Sequence, residues 1–320
     1  MKAVVYTRYG PPDVLQISEV EKPVPNDDQV LVKIQAVSLN PADWHLRRGE
    51  LLARPGTGLL RPKDTISGAD FAGQVEAVGK NIIEYKPGDE VFGRRAPNGF
   101  AEYVCVSVKP IALKPANITF EQAAAVPIAG LTALQSLRDA GRLQPGQKVL
   151  VNGASGGVGT FAVQIAKALG ADVTGVCSAR NAAMVRWLGA DRVMDYKRED
   201  FTRSSEIFDL IVDNIGNHSI GGYLRALSSK GRCVIVGFSS LGLLFQHIAL
   251  GQVVSAFGGR KIGTMMSRIK TDDLYALKDM IEAGKVTPYV DKVYPLSDTA
   301  AAFRYLEEGH ARGKVIVTME

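Results

Sequence analysis

The sequence is poor in the side chains that bind metals or cross-link chains. It holds 3 cysteines and 4 histidines in 320 residues. Cys105, Cys177 and Cys233 are odd in number, far apart and set in apolar, strand-like stretches. That argues against a disulfide frame or a Cys/His metal cluster. It fits buried free thiols in a reducing compartment, here the cytoplasm. Charge of one sign is also scarce. The formal net charge is +5 and no Lys/Arg run exceeds two residues, so no dedicated nucleic-acid surface is expected. The opening MKAVVYTRYG alternates like a strand and lacks the apolar core of a signal peptide.

One stretch lacks charge altogether. From Cys233 to Gly259 no Asp, Glu, Lys or Arg occurs, and that length reaches across a bilayer. Glycines, serines, Gln246, Gln252 and His247 interrupt it, and a strand is due at Cys233–Val236. It reads as strand, active-site loop, short helix and the approach to a further strand, with no membrane span. Its apolar side chains (Leu241, Leu243, Leu244, Phe245, Ile248) line a substrate pocket or a subunit contact.

What is present describes an ordinary globular chain. Apolar residues make up 46% and charged residues 22%, and the length is enough for two cores. Residues 1–118 carry strand patterns broken by Gly/Pro turns, with almost no helical periodicity, which predicts an antiparallel, partly barrel-like β domain. Asn40-Pro41-Ala42-Asp43 reads equally well as a turn or as functional polar groups. Glu50–Lys63 reads as a loop, a candidate mobile flap. At Thr119 the texture changes: Thr119-Phe120-Glu121-Gln122 is a capping box before an alanine-rich helix. Strands and helices then alternate, as in a doubly wound parallel sheet. The expected division is 119–285 for that α/β domain, and 1–118 with 286–320 for a discontinuous β domain.

The chain is organised around KVLVNGASGGVGTFAVQIAKALG, residues 148–170. A β-branched run, Lys148–Asn152, leads into a glycine-rich turn and then apolar residues at helical spacing, ending at Gly170. Such a strand, turn and helix binds a dinucleotide pyrophosphate, because the helix N-terminus offers unpaired N–H groups and the positive end of its dipole. Ser155, Gly156, Gly157 and Val158 are the candidate contacts. No Gly-Lys-Ser/Thr follows, so this is not a Walker loop. The second strand ends in Ser178-Ala179-Arg180-Asn181, without the carboxylate that an NAD site places on the ribose. Arg180 and Ser178 suit a 2′-phosphate, and Tyr196 can add a hydroxyl or stack on adenine, which favours NADP(H).

In order, the chain carries SLNPAD (38–43), GADFAGQVEAVG (68–79), GDEVFG (88–93), GLTA (130–133), GASGGVG (153–159), LGAD (188–191) and GKV (313–315). These motifs resemble the zinc-free quinone oxidoreductases of the medium-chain dehydrogenase/reductase superfamily. The resemblance implies a GroES-like domain and a Rossmann domain with the active site in the cleft between them. It also implies hydride transfer from NADPH to a quinone or enone, and a homodimer through Rossmann sheet edges. Asn40 stands where zinc alcohol dehydrogenases resemble this chain but carry a catalytic cysteine. Gly68-Ala69-Asp70 stands at their Gly-His-Glu metal ligand, and their four-cysteine lobe is missing, so no metal is expected. By resemblance, Thr132, Asn214, Ile215, Gly237, Phe238 and Lys314 join the cofactor positions. Asn40, Asp43 and His45 are the candidate catalytic groups. Relatives also raise two other readings, a non-catalytic NADPH-binding sensor or structural protein and an RNA-binding protein.

Overall fold

The computed structural model describes residues 1–50, 54–95 and 97–319. It divides into two compact units: Met1–Ile128 with Ile269–Glu282 and Pro288–Glu320, and Ala129–Arg268 with Ala283–Thr287. The first unit therefore takes in residues 119–128 and 269–282, which sequence patterning assigns to the α/β domain. Packing explains both. Helix Phe120–Ala124 lies against strands Gln29–Ser38 and Asp70–Val78. Helix Thr271–Glu282 lies on strand Ile111–Leu113, with Asn117 Nδ2 donating to Ile281 O at 2.9 Å.

The first unit is built on a seven-stranded sheet whose long member is Gln29–Ser38. Its β-branched and aliphatic residues bury Val30, Val32, Ile34 and Val37 against Phe71, Val104 and Val317. That strand pairs antiparallel with Asp70–Val78, Tyr103–Ser107 and Lys314–Thr318. Register places Ser38 opposite both Asp70 and Ile316. A separate two-stranded ribbon pairs Lys2–Val5 with Gln16–Glu19.

Two segments of this unit differ from the sequence expectation. Residues 41–48 form a helix, Pro41–Arg48, instead of a turn. Asn40 is its N-cap, Pro41 takes the first position, where no N–H is needed, and Gly49 ends it at φ 64°. Arg54–Thr57, within the expected loop, is one short helical turn; Leu51–Ala53 of that segment lie outside the described residues.

The second unit is a six-stranded parallel sheet. Its order is Arg192–Asp195, Asp172–Cys177, Lys148–Asn152, Phe208–Asp213, Leu227–Ile235, Lys261–Thr264. The strand order reverses between Lys148–Asn152 and Phe208–Asp213, the position where such sheets bind ligands at their carboxyl ends. Helix Gly157–Ala168 packs on this sheet, and Gln164 clamps both backbone polar groups of Thr287, at 2.8 and 3.0 Å. The uncharged stretch folds as a 17-residue helix, Leu241–Phe257, not as a loop and short helix. Ser240 caps it by accepting from Leu243 N, and nothing within it forces a break. Among the described residues no helix is long and apolar enough to cross a membrane.

One buried cation ties the first unit together. Arg47 is 0% exposed, donates to Gly10 O and to Glu307, and lies 5.2 Å from the Phe303 ring centroid. Replacing it takes away one of the two guanidinium partners of Glu307, the other being Arg48, and leaves Gly10 O without its donor. Arg47→Met is expected to cost about 1–3 kcal/mol, read as a lowered urea midpoint. A midpoint equal to wild type would refute this account.

Candidate functional site

The glycine turn shows why its residues are small. Gly153 has φ 74°, and a side chain there would press on Ile215. A Cβ on Gly159 would lie 2.1 Å from Gly153 O, so only glycine lets the helix start against the turn. At Gly156, the N-cap, an added Cβ would meet nothing nearer than Gly153 O at 3.4 Å. That open backbone at the start of a 12-residue helix is what an anionic ligand needs. Ala154, in the first glycine's place, is buried and its N–H donates to Val176 O at 3.0 Å, anchoring the turn to the second strand. Ser155 accepts from Asn181 Nδ2 at 3.0 Å.

At the end of that second strand Arg180 is exposed, and Ser178 caps no helix N–H with its hydroxyl. Tyr196 is 57% exposed on the next strand's exit. This edge carries a guanidinium and two hydroxyls, groups that suit an adenosine phosphate, with Asp195 paired opposite Cys177 on the neighbouring strand. Two buried amide oxygens, Asn181 Oδ1 and Asn214 Oδ1, have no protein partner among the described residues.

Asp213, which sequence reading passed over, holds the switch-point end. It is 0% exposed. Its Oδ1 accepts from Asn152 Nδ2 at 2.9 Å and from the Ile215 and Gly216 N–H groups at 2.8 Å each. Its Oδ2 accepts from the Tyr223 hydroxyl at 2.7 Å, and burial raises that phenol's pKa. The turn after the strand is thus fixed, leaving Ile215 43% and Phe238 42% exposed. They form an apolar surface at the carboxyl end of the sheet. Gly237 passes so close that a Cβ would lie 2.1 Å from Asn214 O. Thr132 is buried and donates to Ser267 Oγ at 3.0 Å. The available signal for Asp213 was an acid directly after the apolar run Leu210-Ile211-Val212, ahead of Asn-Ile-Gly.

In the first unit, Asn40, Asp43 and Lys314 come together, and Asp70 with them. The antiparallel register that sets Ser38 opposite Ile316 carries Asn40 to Lys314. Lys314 Nζ donates to Asn40 Oδ1 at 2.6 Å and Leu39 O at 3.1 Å. Lys314 was expected among the cofactor contacts; it is 4% exposed, its ammonium bonded within the first unit. Asn40 Nδ2 donates to Asp70 Oδ2 at 3.2 Å, and Asp43 Oδ2 accepts from Asn40 N at 2.8 Å. The Asn40 amide is therefore engaged inside the protein at both ends. His45 lies apart from this cluster, stacked on Trp44 and 2.8 Å from Glu50 Oε2. Burial pushes the Asp43 carboxyl up to about 7 and raises Asp70, and it lowers Lys314. Among the described residues no three His, Cys, Asp or Glu side chains converge as a metal site.

Comparison with known proteins agrees with this architecture. Residues 26–116 match the alcohol dehydrogenase GroES-like domain and 188–317 the zinc-binding dehydrogenase domain. The chain is 37% identical to a 2-methylene-furan-3-one reductase of Solanum lycopersicum, over 99% of this chain and 79% of that one. It is 36% identical to a chloroplastic NADPH-dependent alkenal/one oxidoreductase of Arabidopsis thaliana, with the same coverage. The structure of the quinone oxidoreductase from Coxiella burnetii superposes with a TM-score of 0.88 at 31% identity, covering 100% of this chain and 99% of that one. The chain belongs to the quinone oxidoreductase group of the medium-chain dehydrogenase/reductase superfamily.

The raised Asp43 carboxyl sets a pH dependence of stability. Unfolded, it titrates near 4; folded, near 7. Between those values the folded chain holds a proton that the unfolded chain has lost, so this contribution to stability falls as pH rises through that window. Asp43→Asn is expected to flatten the slope of stability against pH between about 5 and 7, measured by urea unfolding. An unchanged slope would contradict it.

Proposed function

We propose that this protein is a zinc-independent, NADPH-dependent reductase of quinones or α,β-unsaturated carbonyls. The observation that carries the reading is the nucleotide edge. An open helix N-terminus at Gly156–Gly157 lies in the same sheet as a second strand ending in exposed Arg180 with no carboxylate. The names of the relatives, an NADPH-dependent alkenal/one oxidoreductase and a furanone reductase, support the acceptor class.

In this reading the Gly156 and Gly157 backbone and the helix dipole hold the pyrophosphate. Arg180, Ser178 and Tyr196 select the 2′-phosphate. Asn214 and Ile215, held by Asp213, and Gly237 with Phe238 form the nicotinamide end, where apolar surface favours an apolar acceptor. Bound NADPH supplies the hydride. Among the described residues no side chains converge to hold a metal that could polarise the acceptor, so positioning and fixed hydrogen-bond donors take that role.

We also infer a homodimer. Strand Lys261–Thr264 ends the six-stranded sheet, and the adjacent helix exposes Phe245, Ile248 and Val253, an apolar face suited to a second copy. A cytoplasmic location accords with the three unpaired thiols.

NADPH oxidation measured beside NADH, against quinones, enones, alkenals and simple aldehydes, tests the assignment. Turnover of quinones or enones with NADPH preferred is expected. Arg180→Ala should lower kcat/KM for NADPH about ten- to a hundredfold and leave NADH unchanged, as loss of a charge-assisted bond to one phosphate requires. Tight NADPH binding with no turnover across the panel would favour a sensor. Equal use of NADH by both proteins would remove Arg180 from the site. Gly159→Val should weaken NADPH and NADH binding alike, because it displaces the helix start that both cofactors share.

A further inference from the structure

We propose that Asn181 is a positioning residue: it turns the Ser155 hydroxyl outward as a donor to the cofactor's 2′-phosphate, and so helps Arg180 set the preference for NADP(H). The inference rests on the reading of the nucleotide edge given above, and every residue in it belongs to the second unit.

Asn181 stands where another task is usual. It is the N-cap of helix Ala182–Trp187, and an asparagine there ordinarily accepts a backbone N–H of the first turn. This one makes no such bond. Its amide turns away from its own helix and donates from Nδ2 to Ser155 Oγ, 26 residues back in the glycine turn, at 3.0 Å. Among the described residues that is the side chain's one hydrogen bond, because Oδ1 has no partner. Asn181 is 5% exposed, so the bond is shielded from water. Neither capping nor filling space accounts for a buried amide bonded at one end only.

The direction of that bond decides what Ser155 can do. A serine hydroxyl has one hydrogen and two acceptor lone pairs. An amide nitrogen only donates, so Asn181 occupies a lone pair and leaves the hydrogen free. Among the described residues no group accepts that hydrogen, and Ser155 is half-buried, with one side at the surface.

The surroundings point to the acceptor. Ser155 precedes Gly156, the N-cap of helix Gly157–Ala168, and Asn181 follows Arg180 at the exit of the second strand. The tether therefore joins the glycine turn to the strand end, and the Ala154 N–H bond to Val176 O joins the same two segments through backbone. In sheets of this kind the adenosine ribose lies by the end of the second strand. An ionised 2′-phosphate there accepts and cannot donate, and a hydrogen bond to it is about twice as strong as one between neutral groups. A donor held in place beforehand loses less freedom on binding. The ribose hydroxyl of NAD(H) at the same position is neutral and gains less from an outward-facing donor.

Aspartate in place of Asn181 has the same shape and the opposite effect. A carboxylate only accepts, so the Ser155 hydrogen would turn inward to it, and a negative charge would stand beside the phosphate. It would also restore the acid that an NAD site uses.

Calorimetric titration of the cofactor-free protein with NADPH and with NADH, and no acceptor present, is the test. Wild type is expected to prefer NADPH. Asn181→Ala should weaken NADPH about tenfold and NADH by no more than about twofold. Ser155→Ala should do the same, and the double variant should lose no more than Ser155→Ala alone, since both changes remove one interaction. Asn181→Asp should weaken NADPH about a hundredfold and keep or tighten NADH. Urea midpoints of the variants show whether each is folded; where Asn181→Ala is not, the isosteric Asn181→Asp decides. Equal losses for the two cofactors, additive losses in the double variant, or wild-type NADPH affinity in Asn181→Ala would overturn the proposal and leave Asn181 a plain brace for the turn. Wild-type protein with no preference for NADPH refutes instead the 2′-phosphate reading of this edge.

Discussion

The pairing of Lys314–Thr318 with Gln29–Ser38 is the constraint on which the first unit's chemistry depends. Two strands separated by most of the sequence lie side by side, and the closing strand is buried on both faces, from Lys314 to Val317. A slip of one residue would bring Lys314 to the face that Val315 and Val317 now fill and carry it away from Asn40. The same long strand sets Ser38 against Asp70. Asn40, Lys314 and Asp70 therefore meet because of sheet register, and Asp43 joins them through a helix whose start is fixed by Asn40 and Pro41.

The second unit uses a related device. Asp213 ends a strand of mostly apolar residues and turns its carboxyl group back on the turn that follows, accepting two backbone N–H groups, an amide and a phenol. A carboxyl group with that many donors is satisfied even without water, and so can act as a rigid clamp. In each unit the polar interior lies at strand ends, where irregular backbone must be held in place. The apolar sheet interiors carry none of the ligand-facing groups.

Much of this was legible in the sequence, because local rules and global fold agree. The strand at 148–152, the glycine turn and the helix at 157–168 are read from spacing alone, since only glycine fits at 153 and 159. The parallel sheet follows from alternating apolar strands and helices. Other features were not legible, for definite reasons. Helix Pro41–Arg48 has a polar, strongly basic sequence and little apolar periodicity, so its signal lay in Asn40, Pro41 and Gly49 alone. Helix Leu241–Phe257 is apolar all round, and periodicity cannot separate such a helix from a loop with apolar contacts. Lys314 was grouped with cofactor residues because its motif closes the family pattern; only register shows that its ammonium is bound within the sheet. Helix Thr271–Glu282 is amphipathic in sequence, but nothing in sequence says which unit its apolar face meets.

The closing strand also bears on how the chain comes to be folded. The six-stranded sheet has all its strands once Thr264 is made. The first unit is different. Its long strand leaves the ribosome early, yet its partner at 314–318 follows only after the whole second unit. For tens of seconds, at ordinary rates of synthesis, one edge of the sheet stands open. The polar end of that edge, with Asn40 and Asp70 waiting for an ammonium, is then wet and easily parted. The charged cluster thus assembles only after the second unit is made, and a nascent chain held short of Lys314 would expose an edge that chaperones must cover.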